Sequence, residues 1–405
     1  MAERQTYVIV GANTAGGAAA ETLRREGFEG RVVLIGAEPD RPYERPPLSK
    51  EYLRGEMEKP KLYMKPEEFY AKHEIELVLG TVVTAVDPGA HEVTLDGGET
   101  LRYDRLLLAT GGCVRRLPVE GADLDGVYYL RDVADSERIA AELQEGRRVT
   151  VIGGGFIGSE VAASAREKGL EVTLIEMEEA PLARVLGAQI GRAYADLHRD
   201  HGVDVMLGAK VERLQGDGRV RRAVTTAGDV ECDFAVAGVG IEPAVGLAEA
   251  AGIAVENGIV VDEHCRTSAP DVYAAGDAAN WKSPLLGKRL RVEHWVNARS
   301  QGASAAKNMI GKDDVYDPVP WFWSDQYDTS AQYVGHATEW DEIAVRGSVE
   351  DRRFSAWYLK GGVVRGVFVL GAPDDVRPAQ NIVRSQKPVD PAALADEGTD
   401  LQELA

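Results

Sequence analysis

The chain has 405 residues, with 46 lysines and arginines against 66 aspartates and glutamates, and its formal net charge is −20. Hydrophobic residues make up 44% and charged residues 28%, which is ordinary for folded proteins and excludes wholesale disorder. At roughly 150 residues per domain, this length predicts two or three domains. The acidic balance argues against partners such as nucleic acid or an anionic membrane, because both attract basic surfaces. No apolar run approaches the ~20 residues of a membrane-spanning helix.

The three cysteines, Cys113, Cys232 and Cys265, are far apart and form no CxxC pair. This pattern predicts neither a disulfide framework nor a metal site, and the seven histidines are not grouped at metal-ligand spacing either. Each cysteine is expected to be a small buried hydrophobic residue. Together with an N-terminus that lacks a signal-like apolar segment, the cysteines favour a cytoplasmic location.

An internal repeat joins a strand, a glycine-rich turn, a helix and a second strand that ends at an acid. In the first copy, the strand 7–10 and the turn at 11–17 precede a helix over 18–25, and the second strand ends at Glu38. The second copy has a strand over 149–152, the turn Gly153–Gly158, a helix over 159–168 and the acid Glu176. Each copy predicts one βαβ unit of a dinucleotide-binding fold.

The spacing of the glycines follows from the chemistry of phosphate binding. The first glycine permits the tight turn, the second lets the pyrophosphate approach the backbone, and the third lets helix and strand pack closely. The helix N-terminus then presents free N–H groups to the phosphate, and the acid binds the adenosine ribose. The second copy is complete, whereas Asn13 replaces the middle glycine of the first copy. Because asparagine tolerates unusual backbone angles, this turn is still expected to form.

Two dinucleotide sites in one chain indicate a bound flavin dinucleotide and a diffusing nicotinamide dinucleotide. A β-meander is predicted over 79–110, and a later strand ends at Gly276-Asp277. A carboxylate at such a strand end is suited to the ribityl hydroxyls of a flavin.

The segments Ala109–Gly112 (ATGG) and Ala274–Asp277 (AAGD), with the two glycine turns, are similar to those of flavoprotein reductases with two dinucleotide-binding domains. Residues 42–50 (PYERPPLSK) and 320–326 (PWFWSDQ) resemble one branch, the NADH-dependent ferredoxin reductases of bacterial monooxygenases and dioxygenases. The resemblance implies an NADH-to-FAD-to-2Fe-2S ferredoxin electron chain that supplies an oxygenase.

The resemblance also assigns site residues. The expected FAD contacts are Gly11, Asn13, Thr14, Ala15, Gly16, Glu38, Arg45, Lys50, Val83, Ala109, Thr110, Gly111, Arg131, Gly276, Asp277, Glu293 and Trp295. The expected nicotinamide dinucleotide contacts are Gly153, Gly155, Ile157, Gly158, Glu160, Glu176 and Gly240. Lys50 is the predicted cation beside the flavin, favouring its anionic reduced form, and Glu160 is its predicted ion-pair partner. These two residues are therefore the predicted catalytic pair.

Both the residues and the resemblance favour NADH over NADPH. Glu176 would face the 2′-phosphate of NADPH with like charge, and Glu178 and Glu179 follow closely. The nearest arginine after the acid is Arg184. The segment 41–46 has no cysteine, which argues against the dithiol chemistry of disulfide reductases in this superfamily.

One stretch, residues 281–311, is basic in an otherwise acidic chain. It holds Lys288, Arg289 and Arg291, which are predicted to dock an acidic ferredoxin, although a solvated face is the alternative. Trp323 is included among the predicted partner-binding residues, and an interface or core aromatic is favoured for it over an electron relay.

The predicted fold is α/β, with two Rossmann-like domains and a C-terminal α+β domain. The FAD domain is expected over 1–113 and 240–315, the NAD domain over 114–239 and the C-terminal domain over 316–405, with strands at 331–335, 342–347 and 353–358. Two alternatives stay open on this fold. One is an NADH oxidase or quinone reductase, and the other is a redox sensor resembling apoptosis-inducing factor.

Overall fold

The computed structural model describes residues 4–405. Its strands are β1 Thr6–Val10, β2 Arg31–Gly36, β3 Ile75–Leu79, β4 Val83–Asp87, β5 Glu92–Leu95, β6 Thr100–Arg102, β7 Arg105–Leu108, β8 Gly112–Val114, β9 Val127–Tyr128, β10 Arg148–Ile152, β11 Glu171–Glu176, β12 Asp204–Leu207, β13 Val211–Asp217, β14 Arg219–Thr225, β15 Val230–Glu231, β16 Phe234–Ala237, β17 Ile241–Pro243, β18 Ile259–Val261, β19 Val272–Ala274, β20 Ala279–Ser283, β21 Lys288–Leu290, β22 Trp321–Gln326, β23 Thr329–Gly335, β24 Glu342–Ser348, β25 Arg353–Lys360 and β26 Val363–Leu370. Its α-helices are α1 Thr14–Arg25, α2 Glu67–Lys72, α3 Val133–Glu142, α4 Phe156–Glu167, α5 Ala183–Asp200, α6 Gly246–Ala250, α7 Trp295–Met309, α8 Val376–Ser385 and α9 Pro391–Ala395.

The chain forms two compact units. The first unit holds residues 4–45, 59–113 and 242–318, and the second holds 46–58, 114–241 and 319–405. In the described part of the chain, no helix is both long enough and apolar enough to cross a membrane.

A parallel five-stranded sheet is the centre of the first unit. Its strand order is β19-β7-β1-β2-β3, and all four pairings are parallel. Strands β1, β2 and β7 are short apolar runs that are almost wholly buried, as expected for a sheet covered on both faces. The predicted meander is the antiparallel sheet β4-β5-β6.

The second unit contains a parallel sheet with the same internal order. From one edge to the other, its strands are β9-β16-β10-β11-β12, so β10 and β11 take the places that β1 and β2 hold in the first sheet. The predicted internal repeat is therefore confirmed at the level of topology. Helices α1 and α4 begin at Thr14 and Phe156, inside the glycine turns and three or four residues before the predicted starts.

An antiparallel sheet of order β22-β23-β26-β25-β24 forms the C-terminal part of the second unit. Helix α8 covers it through Ile382 and Val383, which join a buried cluster with Val334 and Val367. The predicted strands at 331–335, 342–347 and 353–358 lie within β23, β24 and β25, whereas β22 and β26 were missed. The predicted fold class, α/β with two Rossmann-like sheets and a C-terminal α+β part, is confirmed.

Candidate dinucleotide-binding and redox sites

The first glycine turn is held by close backbone contacts that only glycine permits. Gly11 has φ +114°, and a Cβ there would lie 2.1 Å from the Ala109 carbonyl oxygen. A Cβ at Gly16 would lie 1.9 Å from the carbonyl oxygen of Gly11. These two glycines therefore let α1 begin directly against β1 and the end of β7, which leaves the helix N-terminus facing the turn.

Asn13 occupies the N-cap position of α1 with φ −116° and ψ −162°. This is extended backbone that any residue adopts, so the turn forms as predicted, but without the unusual backbone angle that was the reason given for Asn13. Its side chain makes no cap hydrogen bond. Instead, Nδ2 donates to Glu38 Oε1 at 3.3 Å, and Oδ1 accepts from Arg45 Nε at 3.1 Å.

Glu38 is the centre of a polar cluster in the first unit. Besides Asn13, its carboxylate accepts hydrogen bonds from the Arg45 guanidinium at 2.6 Å and from the Tyr43 hydroxyl. A carboxylate has about four acceptor positions, so one remains for a ribose hydroxyl. The sequence predicted Asn13, Glu38 and Arg45 but missed Tyr43, which is buried under the Arg45 guanidinium at 5.1 Å from ring centre to Cζ.

The Gly276-Asp277 turn lies against the start of α1. Gly276 has φ +81°, and its N–H donates to Gln301 Oε1 at 2.9 Å. A Cβ at Gly276 would lie 3.0 Å from the Ala15 Cβ, and a Cβ at Gly302 would lie 2.2 Å from the Ala15 carbonyl oxygen. Gly302 was missed, although a glycine inside a helix signals a close approach.

The other predicted FAD contacts of the first unit occupy three separate elements. Val83 is buried at the start of β4, and Ala109, Thr110 and Gly111 follow β7. Thr110 Oγ1 donates to the Ala244 carbonyl at 2.7 Å. Trp295 begins α7 with the Arg299 guanidinium 5.3 Å from its ring centre, and Glu293 forms an ion pair with Arg291.

The second glycine turn repeats the geometry of the first turn within the second unit. Gly153 has φ +104°, and a Cβ there would lie 2.5 Å from the Gly238 carbonyl oxygen. A Cβ at Gly158 would lie 2.0 Å from the Gly153 carbonyl oxygen, whereas a Cβ at Gly155 would meet its nearest atom only at 4.0 Å. Gly155, the N-cap of α4, supplies no side-chain cap. The open space and the uncapped N–H groups fit a phosphate at this helix N-terminus.

Glu176 lies at the end of β11 and is buried. Its Oε2 accepts from the Gly154 N–H at 2.7 Å, and its Oε1 accepts from the Glu178 N–H at 2.8 Å. These bonds fix the carboxylate and leave about two acceptor positions, which match the two hydroxyls of an adenosine ribose. Ile157 and Met177, exposed by 48% and 58%, place apolar side chains beside the turn and the acid.

Gly240 and Arg131 lie on other loops of the second unit. Gly240 has φ +93°, and its carbonyl oxygen accepts from the Arg115 N–H at 2.9 Å. The Arg131 N–H donates to Asp135 Oδ2 at 2.9 Å, within the capping box that Asp132 forms at the start of α3. Their proposed dinucleotide contacts stay predictions.

Lys50 and Glu160 form a buried ion pair within the second unit. The Lys50 Nζ lies 2.8 Å from Glu160 Oε2 and also donates to the Pro46 carbonyl at 3.1 Å. Glu160 accepts two further hydrogen bonds, from the Ser49 hydroxyl and from the Ser324 hydroxyl at 2.7 Å. A buried charge is tolerated only when it is paired and hydrogen-bonded, and this pair meets both conditions. Ser49 and Ser324 were missed because no sequence spacing relates them to Glu160.

The basic stretch uses much of its charge inside the first unit. Arg289 donates to the carbonyl groups of Val261 and Asn280 at 3.1 and 3.0 Å. Arg291 pairs with Glu293. Lys288 lies beside Arg289 on β21.

In the second unit, Trp323 is half-buried and stacks on Trp321 with ring centres 5.5 Å apart.

The three cysteines differ from one another in exposure. Cys232 and Cys265 are buried as predicted, and burial raises the pKa of both thiols. Cys113 is exposed, so the prediction of a buried residue is wrong there. The strand β8 that carries it is only three residues long and does not enclose its side chains.

Comparisons with known proteins match both parts of the chain. Residues 5–302 match the pyridine nucleotide-disulphide oxidoreductase family, and residues 321–405 match the reductase C-terminal family. The 5,5′-dehydrodivanillate O-demethylase ferredoxin reductase subunit of Sphingobium sp. is 41% identical, over 98% of this chain and 97% of that protein. Putidaredoxin reductase of Pseudomonas putida is 38% identical, over 100% of this chain and 97% of that protein.

A solved structure agrees over the same extent. The crystal structure of the covalent putidaredoxin reductase–putidaredoxin complex matches with a TM-score of 0.96 at 38% identity, covering 99% of this chain and 98% of that chain. Because the family match spans most of the chain and the relatives span nearly all of it, the chain belongs to the pyridine nucleotide-disulphide oxidoreductase family and carries its reductase C-terminal domain.

Proposed function

We propose that the chain is an NADH:ferredoxin reductase that uses FAD to pass electrons to a 2Fe-2S ferredoxin, which supplies a monooxygenase or dioxygenase. The carrying observation is the pair of parallel sheets with the same strand order, each with a glycine turn and a terminal acid. Two such units provide two dinucleotide sites in one chain. The relatives named as ferredoxin reductases of oxygenase systems support this acceptor.

The residues of the first unit hold FAD in this proposal. The N-terminus of α1, opened by Gly11 and Gly16, receives the pyrophosphate, and Glu38 binds a ribose hydroxyl. Asp277 serves the ribityl chain, because its turn is packed on the start of α1. When bound, FAD accepts a hydride from NADH and releases electrons singly, which suits an iron–sulfur acceptor.

The second unit binds NADH in preference to NADPH. Glu176 presents acceptors and a negative charge where the ribose lies, and it therefore favours hydroxyls over a phosphate. The nearest following arginine, Arg184, is already paired with Glu178 at 2.6 Å. The 2′-phosphate of NADPH would therefore be repelled by the Glu176 carboxylate, and Arg184 would not offset that repulsion.

The Lys50–Glu160 pair is assigned the electrostatic role in flavin reduction. Its burial and hydrogen bonds keep the ammonium in one place, and a fixed positive charge favours an anionic reduced flavin. In this role Lys50 acts on the cofactor, while Glu160 holds the ammonium in its orientation.

Docking residues for the ferredoxin are assigned in each unit, Lys288, Arg289 and Arg291 in the first and Trp323 in the second. The reaction is placed in the cytoplasm, where an exposed thiol such as Cys113 stays reduced. Charge reversal in Lys288→Glu, which leaves the internal hydrogen bonds of Arg289 in place, is expected to raise the KM for a ferredoxin about threefold at low salt and less at high salt. NADH-to-ferricyanide activity and FAD content should not change. Lys72→Glu, on the exposed end of α2, is the matched control. Equal ferredoxin kinetics in both variants would contradict the docking assignment.

The acceptor is tested by measuring NADH oxidation with a purified 2Fe-2S ferredoxin and oxygen consumption in parallel. Ferredoxin reduction much faster than oxygen uptake is expected. Fast oxygen or quinone reduction with slow ferredoxin reduction would favour the oxidase or quinone reductase instead. A long-lived reduced complex that no iron–sulfur protein reoxidises would indicate a redox sensor.

A further inference from the structure

Glu160 is held from two sides by side chains that lie far apart in the sequence. Its Oε2 accepts from Lys50 Nζ and from the Ser49 hydroxyl, both at the end of the short 3₁₀ turn Pro46–Ser49. Its Oε1 accepts from Ser324 Oγ at 2.7 Å. All four residues belong to the second unit and are buried. The hydroxyl of Ser324 is therefore the contact by which β22 reaches the ion pair.

The orientation of Ser324 follows from strand geometry. Successive side chains of a strand point to opposite faces, so Ser324 and Gln326 share the face that is turned inward. Gln326 Nε2 donates to Ser324 Oγ at 3.2 Å and to the Tyr194 hydroxyl at 3.3 Å. Because Ser324 Oγ accepts from Gln326, its own proton is free to point at Glu160.

We propose that Ser324 is a positioning residue for the Lys50–Glu160 pair, and this inference rests on the proposed function, in which Lys50 acts on the flavin. Without the hydroxyl, Oε1 becomes a buried carboxylate oxygen that has lost its donor, which is unfavourable. The carboxylate then turns to share both oxygens with Lys50 and Ser49, and the ammonium follows it. The C-terminal sheet thereby takes part in flavin reduction through one hydrogen bond.

The test compares Ser324→Ala with Ser324→Thr, which retains the hydroxyl. Ser355→Ala is the matched control, because Ser355 is also buried in the C-terminal sheet and hydrogen-bonded, to Asp375 at 2.6 Å and Trp357 at 2.8 Å. Two properties of the FAD-loaded protein are measured. One is the flavin midpoint potential, by equilibration with a reference dye, and the other is the rate of flavin reduction at saturating NADH, with the Kd for NADH.

For Ser324→Ala we expect flavin reduction to be about tenfold slower, because the position of the Lys50 ammonium is disturbed. The Kd for NADH should change less than twofold, because the residues that bind NADH are not altered. The midpoint potential should become more negative, and a tenfold change in the two-electron equilibrium corresponds to about 30 mV. Ser324→Thr should lie within about threefold of the parent protein in rate. Ser355→Ala should lower the unfolding temperature and leave both flavin properties unchanged.

The inference is overturned if Ser324→Ala folds, binds FAD and shows the parent rate and potential. It is also overturned if Ser355→Ala shifts both properties as much as Ser324→Ala, since the effect would then be general destabilisation. Lys50→Ala separates this inference from the proposed function. A potential that does not move in Lys50→Ala overturns the role of Lys50 itself, whereas a shift in Lys50→Ala with none in Ser324→Ala overturns the role of Ser324 alone.

Discussion

The choice between NADH and NADPH depends on one carboxylate in this structure. Glu176 accepts one backbone N–H on each oxygen, from Gly154 at 2.7 Å and from Glu178 at 2.8 Å. The substitution Glu176→Gln keeps the size of the side chain, removes the charge and turns one acceptor into a donor. The new NH2 group takes the place of an acceptor oxygen. It therefore opposes one of the two backbone N–H groups and offers the ribose no acceptor.

The magnitude follows from these contacts. A hydrogen bond to a charged group contributes about 1.5–3 kcal/mol, so the affinity for NADH should fall roughly 10- to 150-fold. Removal of a charge about 5 Å from a 2′-phosphate relieves about 3 kcal/mol of repulsion at an effective dielectric constant of about 20. The two effects together amount to roughly 4.5–6 kcal/mol, so the ratio of kcat/KM for NADH to that for NADPH should fall by about three to four orders of magnitude.

The assay is steady-state reduction of ferricyanide with each coenzyme. Glu171→Gln is the matched control, because it removes the same charge from an exposed side chain at the other end of β11. That variant should keep the parent coenzyme ratio within about twofold. An unchanged ratio in Glu176→Gln, or an equal loss in Glu171→Gln, would refute the role assigned to Glu176.

Two further predictions concern the backbone of the FAD turn and a buried histidine. Gly16→Ala should abolish FAD retention, because the new Cβ would lie 1.9 Å from the Gly11 carbonyl oxygen. The control Gly27→Ala has φ +84° and no atom within 4 Å of the new Cβ. It should lower the free energy of unfolding by only about 1–2 kcal/mol and keep the flavin absorbance. Burial lowers the pKa of His198 to about 4, below its usual value near 6.5, so the unfolded chain takes up the proton first as the pH falls. The free energy of unfolding should therefore fall by about 2 kcal/mol from pH 7 to pH 5 because of this histidine, which is hydrogen-bonded to Tyr327. Urea titrations at both pH values should show a smaller loss in His198→Gln, and an equal loss in the parent and the variant would contradict the assignment.

The parts that could be predicted from the sequence depend on local patterns. The tight turn requires the first and the third glycine of the motif, and the sequence shows this pair twice, at Gly11 and Gly16 and at Gly153 and Gly158. Short apolar strands on either side identified the two parallel sheets. The acid Glu176 was predictable too, because its place after the second strand is set by the length of one βαβ unit.

The parts that were missed or wrong depend on contacts between distant residues. Ser324 lies 164 residues from Glu160, and no periodicity relates the two positions. The exposure of Cys113 is set by the elements around a three-residue strand. In the basic stretch, the carboxylate and carbonyl groups that engage Arg289 and Arg291 were not visible as partners before the fold was known.

The central claim is that electrons pass from NADH through FAD to a 2Fe-2S ferredoxin, and anaerobic double-mixing stopped-flow spectroscopy tests it most directly. The FAD-loaded protein is first mixed with one equivalent of NADH and then with excess oxidised 2Fe-2S ferredoxin. We expect loss of the oxidised flavin absorbance after the first mix, and reduction of two equivalents of ferredoxin with return of that absorbance after the second. A flavin that NADH does not reduce, or a reduced flavin that ferredoxin does not reoxidise, would contradict the claim.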